Sequence, residues 1–340
     1  HEILYTEAGN PSFTKLWLEA QSHELAQNVL DVRLYEKAAN PFVESYLLQN
    51  LYNGRVHCLF HPLRSDDFGT VSGRFSSSNP NFQNIPSRHK VIGPAIRSLF
   101  IPEDGCLWLR GDHSQIEYRL LVNDAVGEGA EDLRNRYRND PTTDFHDFAI
   151  ELVEKLTGVK LERTPAKNLG FGLCYGMGKD KVKRTLGVSA DVAERLYNAY
   201  FIALPAVKET FNSASRLVNR RGYIKTLLGR RRRFTLFEDG KYGKQRTGTH
   251  AALNARLQGG AADVLKKGML TCYRAGLYAP DACGIPHLTV HDETDFSIPR
   301  TERSAQAVQE MGHVMESCMP MLRVPLVFKM TEGINWGACK

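Results

Sequence analysis

The chain has 340 residues, 42% of them hydrophobic and 24% charged, with a formal net charge of +6. That length supports a substantial core and exceeds one simple domain, and no run of about 18 apolar residues exists, which excludes a membrane-spanning helix. The start, HEILYTEAGNPSF, has neither a basic nor an apolar stretch, so nothing suggests secretion. The seven cysteines form no C-x-x-C pair, which argues against a disulfide framework or zinc site and fits a reducing compartment.

Residues 12–47 read as helical, with Leu25, Val29, Leu30 and Leu34 at helical intervals until Pro41 interrupts. RVHCLF (55–60) is strand-like and leads into a turn-rich stretch, and residues 76–86, rich in Ser, Asn and Pro, read as an ordered loop. CLWLRGDH (106–113) is a short apolar run ending in polar residues, consistent with a buried strand that delivers Asp112 to its end. Helical signals dominate from Ser114 to Tyr200, with the acid–base mixture of 128–140 read as a surface connection.

Within that span lies RTPAKNLGFGLCYG (163–176), where Arg163, Lys167, Phe171 and Tyr175 recur every four residues. On a helix such spacing forms one oblique stripe, here two cations followed by two aromatics. Cations can hold a phosphate chain, and aromatic faces can meet a sugar or base. Thr164-Pro165 suits a helix start. Gly170 and Gly172 would each weaken a helix interior by roughly 1 kcal/mol relative to Ala, and could instead admit a bulky partner close to the backbone. The plainer alternative is an amphipathic helix with a solvated basic face. Residues 217–243 are the most basic part, and the run Arg230 to Arg233 is either a solvated face or a phosphate-contacting one. A long helix is predicted over 251–273, and HLTVHDETDFSIP alternates as strand–turn–strand with Asp292 and Glu293 near the tip.

R-x3-K-x3-F-x3-YG resembles motif B of the family A DNA polymerases. GDHSQIEYR (111–119) resembles motif A, and VHDE (290–293) resembles motif C. SGRFSSSNPNFQNIP (72–86) resembles the segment entering the palm, and NARLQGGAADVLKK (254–267) the helix before motif C. The five occur in order, and the resemblance covers the chain from about Leu25 to its end. It implies an α+β right-hand polymerase fold with an antiparallel-sheet palm, helical fingers and a partial helical thumb. Residues 1–50 would be partial thumb, 51–118 the first part of the palm, 119–249 fingers, and 250–340 the second part of the palm with motif C. The implied function is template-directed addition of dNTPs to a primer 3′-hydroxyl, by an intracellular monomer bound to primer–template DNA. The parent protein is expected to carry an upstream domain, of the 3′–5′ exonuclease kind usual in the family.

The resemblance also assigns residues. Two Mg²⁺ ions, for which Mn²⁺ can substitute, sit roughly 3.5–4 Å apart in such reactions and need carboxylates converging from separate strands. Asp112 and Asp292 are the implied ligands, with Glu293 in a secondary catalytic role. Arg163, Lys167 and His146 would hold the triphosphate, Lys167 also serving as a general acid near the leaving group. Glu117 resembles the steric gate against ribose, Phe171 would lie against the same sugar and disfavour dideoxynucleotides, and Tyr175 would stack at the template position. Gln115 completes the implied dNTP-binding set. Arg74, Asn254, Gln258, His291 and Gly176 match positions that meet the primer–template, where minor-groove acceptors common to all correct pairs let Arg or Gln test pairing without reading sequence. Two places depart from the family pattern: His113 and Tyr118 in motif A, and His250, where bacterial members commonly carry arginine. The rival readings are a single-subunit RNA polymerase, against which Glu117 argues, a non-catalytic nucleic-acid-binding fragment, and a metal-dependent nuclease.

Overall fold

The computed structural model describes residues 4–87, 89–158, 167, 169–170, 172–173, 177–239, 243–246 and 248–339. A short pair of strands, β1 (Leu4–Tyr5) and β2 (Pro11–Ser12), precedes helices α1 (Lys15–Glu19) and α2 (Glu24–Lys37). From α2 the chain continues as a wider π-type helix, Ala38–Leu47, with Pro41 inside it. Proline thus does not interrupt the helix as the sequence suggests; lacking an N–H and crowding the turn before it, it is accommodated where the helix is wider than a regular α-helix. The predicted apolar stripe is only partly used: Leu25 is 64% exposed, and Ala26 is the buried residue of α2.

Strands β3 (Leu51–Tyr52) and β4 (Arg55–Val56) form a hairpin, and β5 (Leu59–His61) pairs with β6 (Ser76–Ser78). Part of the stretch read as loop is therefore strand. Helix α3 (Ile92–Arg97) leads to β7 (Cys106–His113), the run predicted as a buried strand. Then come α4 (Ile116–Asp124), α5 (Ala130–Asn139), α6 (Phe145–Thr157), α7 (Lys179–Leu186), α8 (Ala190–Ala203) and α9 (Pro205–Arg221). The segment read as a surface connection is thus mostly the helix α5, which buries Leu133, Arg134 and Tyr137 at helical spacing. Two hairpins, β8 (Tyr223–Lys225) with β9 (Arg231–Arg233) and β10 (Leu236–Asp239) with β11 (Gly243–Arg246), precede the long helix α10 (Ala252–Arg274). The chain closes with β12 (Leu288–Val290), β13 (Glu293–Pro299), α11 (Glu302–Ser317) and β14 (Phe328–Gly333).

Strands β12, β13, β7 and β14 lie side by side in that order as one antiparallel sheet. Alternation along β7 sends Leu109 to one face and Trp108 to the other. Leu109 joins Phe296, Leu265, Met311 and Met315 beneath α10 and α11, while Trp108 joins Trp336, Phe82, Ile92 and Ile96 on the far side. The sheet is therefore covered on both faces, which fixes where its strand ends can open. Gly111 lets β14 close in, because a Cβ there would collide with the Phe328 ring. A larger core joins α4, α6, α8 and α9 to the start of α10. Among the described residues no helix is long and apolar enough to cross a membrane.

Candidate active site

β13 lies antiparallel to β7 with Glu293 opposite Asp112, and Val290 of β12 pairs with Glu293, so His291 and Asp292 form a two-residue hairpin turn. His291 takes the left-handed φ of +57° that tight hairpins favour. Gln83 braces the turn: its Oε1 accepts the His291 N–H at 2.8 Å, and its amide donates to the Thr289 carbonyl at 2.5 Å. Asp112 and Asp292, far apart in sequence, consequently line one cleft of about 400 Å³. Burial, then Glu293, push the Asp112 carboxyl up to about 6; Asp292 adds to this, while Arg110 and Lys329 oppose it. A carboxyl so crowded by other carboxylates gains from a nearby cation.

Asp292 itself already holds a cation, Arg74. Its Nη2 donates to Glu117 Oε1 at 2.6 Å and to Asp292 Oδ2 at 2.7 Å, and its Nε donates to Asp292 Oδ1 at 3.2 Å. The guanidinium of the predicted primer contact thus joins the predicted gate to a predicted ligand. Burial raises the Glu117 carboxyl, Arg74 pulls it back, and Asp292 raises it again. Glu117 stands in the first turn of α4, which starts after Gln115 adopts a left-handed φ of +52°. The Gln115 side chain accepts the Phe145 N–H at 3.1 Å, which ties the start of α4 to α6.

His146, one residue further on, is 5% exposed, with its ring edge-on to Tyr118 at 4.6 Å. Tyr118, a departure from the family pattern, also stacks on Phe145 at 4.6 Å, so it packs the joint between α4 and α6. His113, the other departure in motif A, is buried against Phe328, and burial lowers its imidazole to about 4. A Cβ added at Gly170 would stand 3.5 Å from Tyr118 Oη and 3.7 Å from His146 Nδ1, an ordinary contact, so packing against these two side chains does not require a glycine. At Gly172 a Cβ would collide with Met177, so the close neighbour there is the chain's own side chain. Lys167 is helical and exposed. Arg163, Phe171, Tyr175 and Gly176 lie outside the described residues. On α10, Asn254 and Gln258 are half-buried about one turn apart, and Asn254 Oδ1 is shielded without a hydrogen-bond partner among the described residues. His250 is exposed in the turn before that helix.

Glu293, Arg97, Arg110 and Trp336 line the same cleft, but their chemistry is different. Glu293 accepts from Arg110 Nε at 2.6 Å, from Trp336 Nε1 at 2.8 Å and from Arg97 Nη1 at 3.5 Å, so both its oxygens are committed. Two residues on, Asp295 is fully buried and accepts from Trp108 Nε1 at 2.8 Å. Burial, then the Glu293 charge, hold its carboxyl well above the usual range. Arg97, Arg110, Trp336, Asp295 and Gln83 were all missed by sequence reasoning. The alternation of ETDF did carry a signal, since it puts two acids on one side of a strand otherwise apolar enough to be buried.

This α+β arrangement is the right-hand polymerase fold. The whole chain superposes, with a TM-score of 0.82 and 25% identity, on 58% of a solved chain described as the POL domain of Pol1 from M. smegmatis in complex with DNA primer-template and dNTP. The profile of DNA polymerase family A matches residues 5–338, and the chain belongs to that family. It is 30% identical over 98% of its length to a DNA-directed DNA polymerase of Pseudomonas phage M6, covering 54% of that protein. It is 31% identical to DNA polymerase I of Caldicellulosiruptor bescii, covering 92% of this chain and 36% of that one. The thermostable DNA polymerase I of Thermus aquaticus is 30% identical, with 98% and 39% covered. The chain therefore spans about half or less of the length of these curated relatives.

Proposed function

We propose that this chain extends a DNA primer: the primer 3′-hydroxyl gives up its proton to solvent as its oxygen bonds to the α-phosphorus of a dNTP, the bond from that phosphorus to the bridging oxygen breaks, and pyrophosphate leaves. The observation that carries this reading is the convergence of Asp112 and Asp292 in one cleft, from the strand end and the hairpin turn of a single sheet. Family membership implies a divalent metal, and the donor set fits one, since hard carboxylate oxygens suit Mg²⁺ or Mn²⁺. Among the described residues no group of three or more His, Cys, Asp or Glu side chains is arranged to hold a metal. Asp112 and Asp292 would therefore share two such ions with phosphate oxygens and water, as Mg²⁺ sites commonly do. When bound, the ions supply charge stabilisation for the attacking oxygen and the departing pyrophosphate.

The protein's own groups do the rest. Glu117 lies beneath the incoming sugar and excludes a 2′-hydroxyl, which favours deoxynucleotides over ribonucleotides. Lys167, with Arg163 and His146, meets the triphosphate; Arg74, with Asn254, Gln258 and His291, meets the primer terminus. Residues 51–118 and 250–340 serve as palm, 119–249 as fingers and 1–50 as the base of a thumb, acting as a monomer. The test is primer extension with Mg²⁺ by this chain and by Asp112→Ala and Asp292→Ala. Each substitution is expected to reduce extension about a thousandfold, the worth of several kcal/mol of charge stabilisation. Activity surviving both would overturn the assignment.

A further inference from the structure

Arg230 opens the run of four arginines but does not behave as part of a solvated face. Its Nη1 donates to the Ser72 carbonyl at 2.6 Å; its Nη2 donates to the Gly259 carbonyl at 2.9 Å and to Asp263 Oδ1 at 3.0 Å. Asp263 is 6% exposed, and its other oxygen accepts the Leu228 N–H at 3.0 Å. One guanidinium therefore fastens three pieces of backbone together: the connection between β8 and β9, the middle of α10, and the turn that leads to Arg74. One glycine makes room for it, and another makes room for Thr226. Gly73 has φ +82°, and a Cβ there would strike the Arg230 guanidinium; a Cβ at Gly259 would strike Thr226. Within the turn, Thr70 Oγ1 donates to the Arg74 carbonyl at 2.8 Å. The Arg74 side chain then reaches Glu117 and Asp292.

We infer that Arg230 is a positioning residue for primer extension, acting through Arg74. It touches neither Glu117 nor Asp292; it fixes the backbone from which Arg74 reaches. The inference rests on the reading that Arg74 meets the primer terminus. A guanidinium with a fixed origin meets the minor-groove acceptors of a correct pair and misses those of a displaced one, whereas one on a loose turn can follow either. The fork of five donors is what the site uses, and lysine, a point charge without that fork, cannot bridge the same acceptors in place.

The test compares matched and mispaired primer termini. Arg230→Lys is expected to lower extension of the matched terminus about tenfold, the scale of one lost charged hydrogen bond, and to leave the mispaired rate nearly unchanged. Arg74→Ala should collapse the same ratio, and the double variant should be no worse than Arg74→Ala alone. Asp263→Asn, which keeps an acceptor for Leu228, is the second probe, and unfolding midpoints are recorded for every variant. Equal losses on matched and mispaired termini, or losses that add fully to those of Arg74→Ala, would reduce Arg230 to a fold anchor and overturn the inference. If the wild-type chain binds but does not extend, the activity reading fails by itself. The inference is then judged by fluorescence anisotropy on matched and mispaired duplexes, where Arg230→Lys should again erase the preference. A wild-type chain with no preference in either assay overturns it.

Discussion

Asp292 and Glu293 are neighbours in sequence and opposites in setting. Glu293 lines the same cleft but is held by Arg97, Arg110 and Trp336, and is 5% exposed. Asp292 stands on the turn and pairs with Arg74, a cation it shares with Glu117. The strand period puts consecutive side chains on opposite faces, so a single hairpin builds both a locked side and an open side. A carboxylate ringed by fixed donors cannot rearrange when substrate arrives. Its value is to hold the turn so that the carboxylate before it is presented in one place. The locked side should therefore register substitutions as lost folding stability, and the open side as altered chemistry.

The strongest way to break that contrast is Arg110→Met. Glu293 would keep Trp336 and the longer contact to Arg97 but lose its shortest partner, at 2.6 Å. Breaking one side of a buried pair costs roughly 3–5 kcal/mol. Because the Arg110 side chain is itself 29% exposed, the loss expected in denaturant unfolding is about 3 kcal/mol. A loss under about 1 kcal/mol would mean that Glu293 is not locked in the sense argued. Arg110 also opposes the rise of the Asp112 carboxyl, so the same variant should push that group higher still.

Asp295→Asn is expected to act in the opposite direction. Burial and Glu293 raise the folded carboxyl well above its unfolded value, so the folded state retains a proton that the unfolded chain gives up. The contribution is most favourable at low pH and falls as pH climbs from the ordinary carboxylate range, near 4, toward the raised folded value. Asparagine has no such loss and can still accept from Trp108. The variant should gain on wild type as pH rises, so that it compares better at pH 8 than near pH 4. Arg97 and Arg110 also face this carboxyl, so the comparison needs both arginines intact. A stability difference that does not change with pH would refute it.

These locked groups were also the least legible in the sequence. β7 and the hairpin around Asp292 could be read directly, because alternation, apolar content and turn position are local properties. Arg97, Trp336 and Gln83 join that hairpin from segments with no periodic signal, and only the fold brings them to it. Arg230 shows the same limit: four consecutive arginines look alike in a sequence, and only the position of Asp263 on α10 separates the first from the rest. Pro41 marks the reverse error, where a strong local rule against helix was absorbed by a wider turn. Motif resemblance could locate Glu117, but its ion pair with Arg74, 43 residues earlier in the chain, follows from the fold. Trp336→Phe offers a smaller check on the same side, since it keeps the ring and removes one donor to Glu293. A loss of about 1.5–3 kcal/mol is expected, as for a hydrogen bond to a charged group, with equilibrium unfolding as the measurement.

Glu117→Ala sharpens the contrast from the open side and should have the smallest effect on folding. The glutamate is partly buried, but its ion-pair partner among the described residues, Arg74, keeps its contacts to Asp292 after the change. No buried cation is left without a counterion, which is the condition that makes broken pairs expensive. Burial also raises the Glu117 carboxyl, so removing it relieves a cost as well as losing an attraction. Stability should therefore shift by less than about 1 kcal/mol. Ribonucleotide incorporation relative to deoxynucleotide should nevertheless rise at least about tenfold, because the side chain proposed to exclude the 2′-hydroxyl is gone. Steady-state incorporation of the two nucleotide types, run beside an unfolding curve, separates these outcomes. A large stability loss with unchanged sugar selectivity would place Glu117 with the locked groups and remove it from the gate.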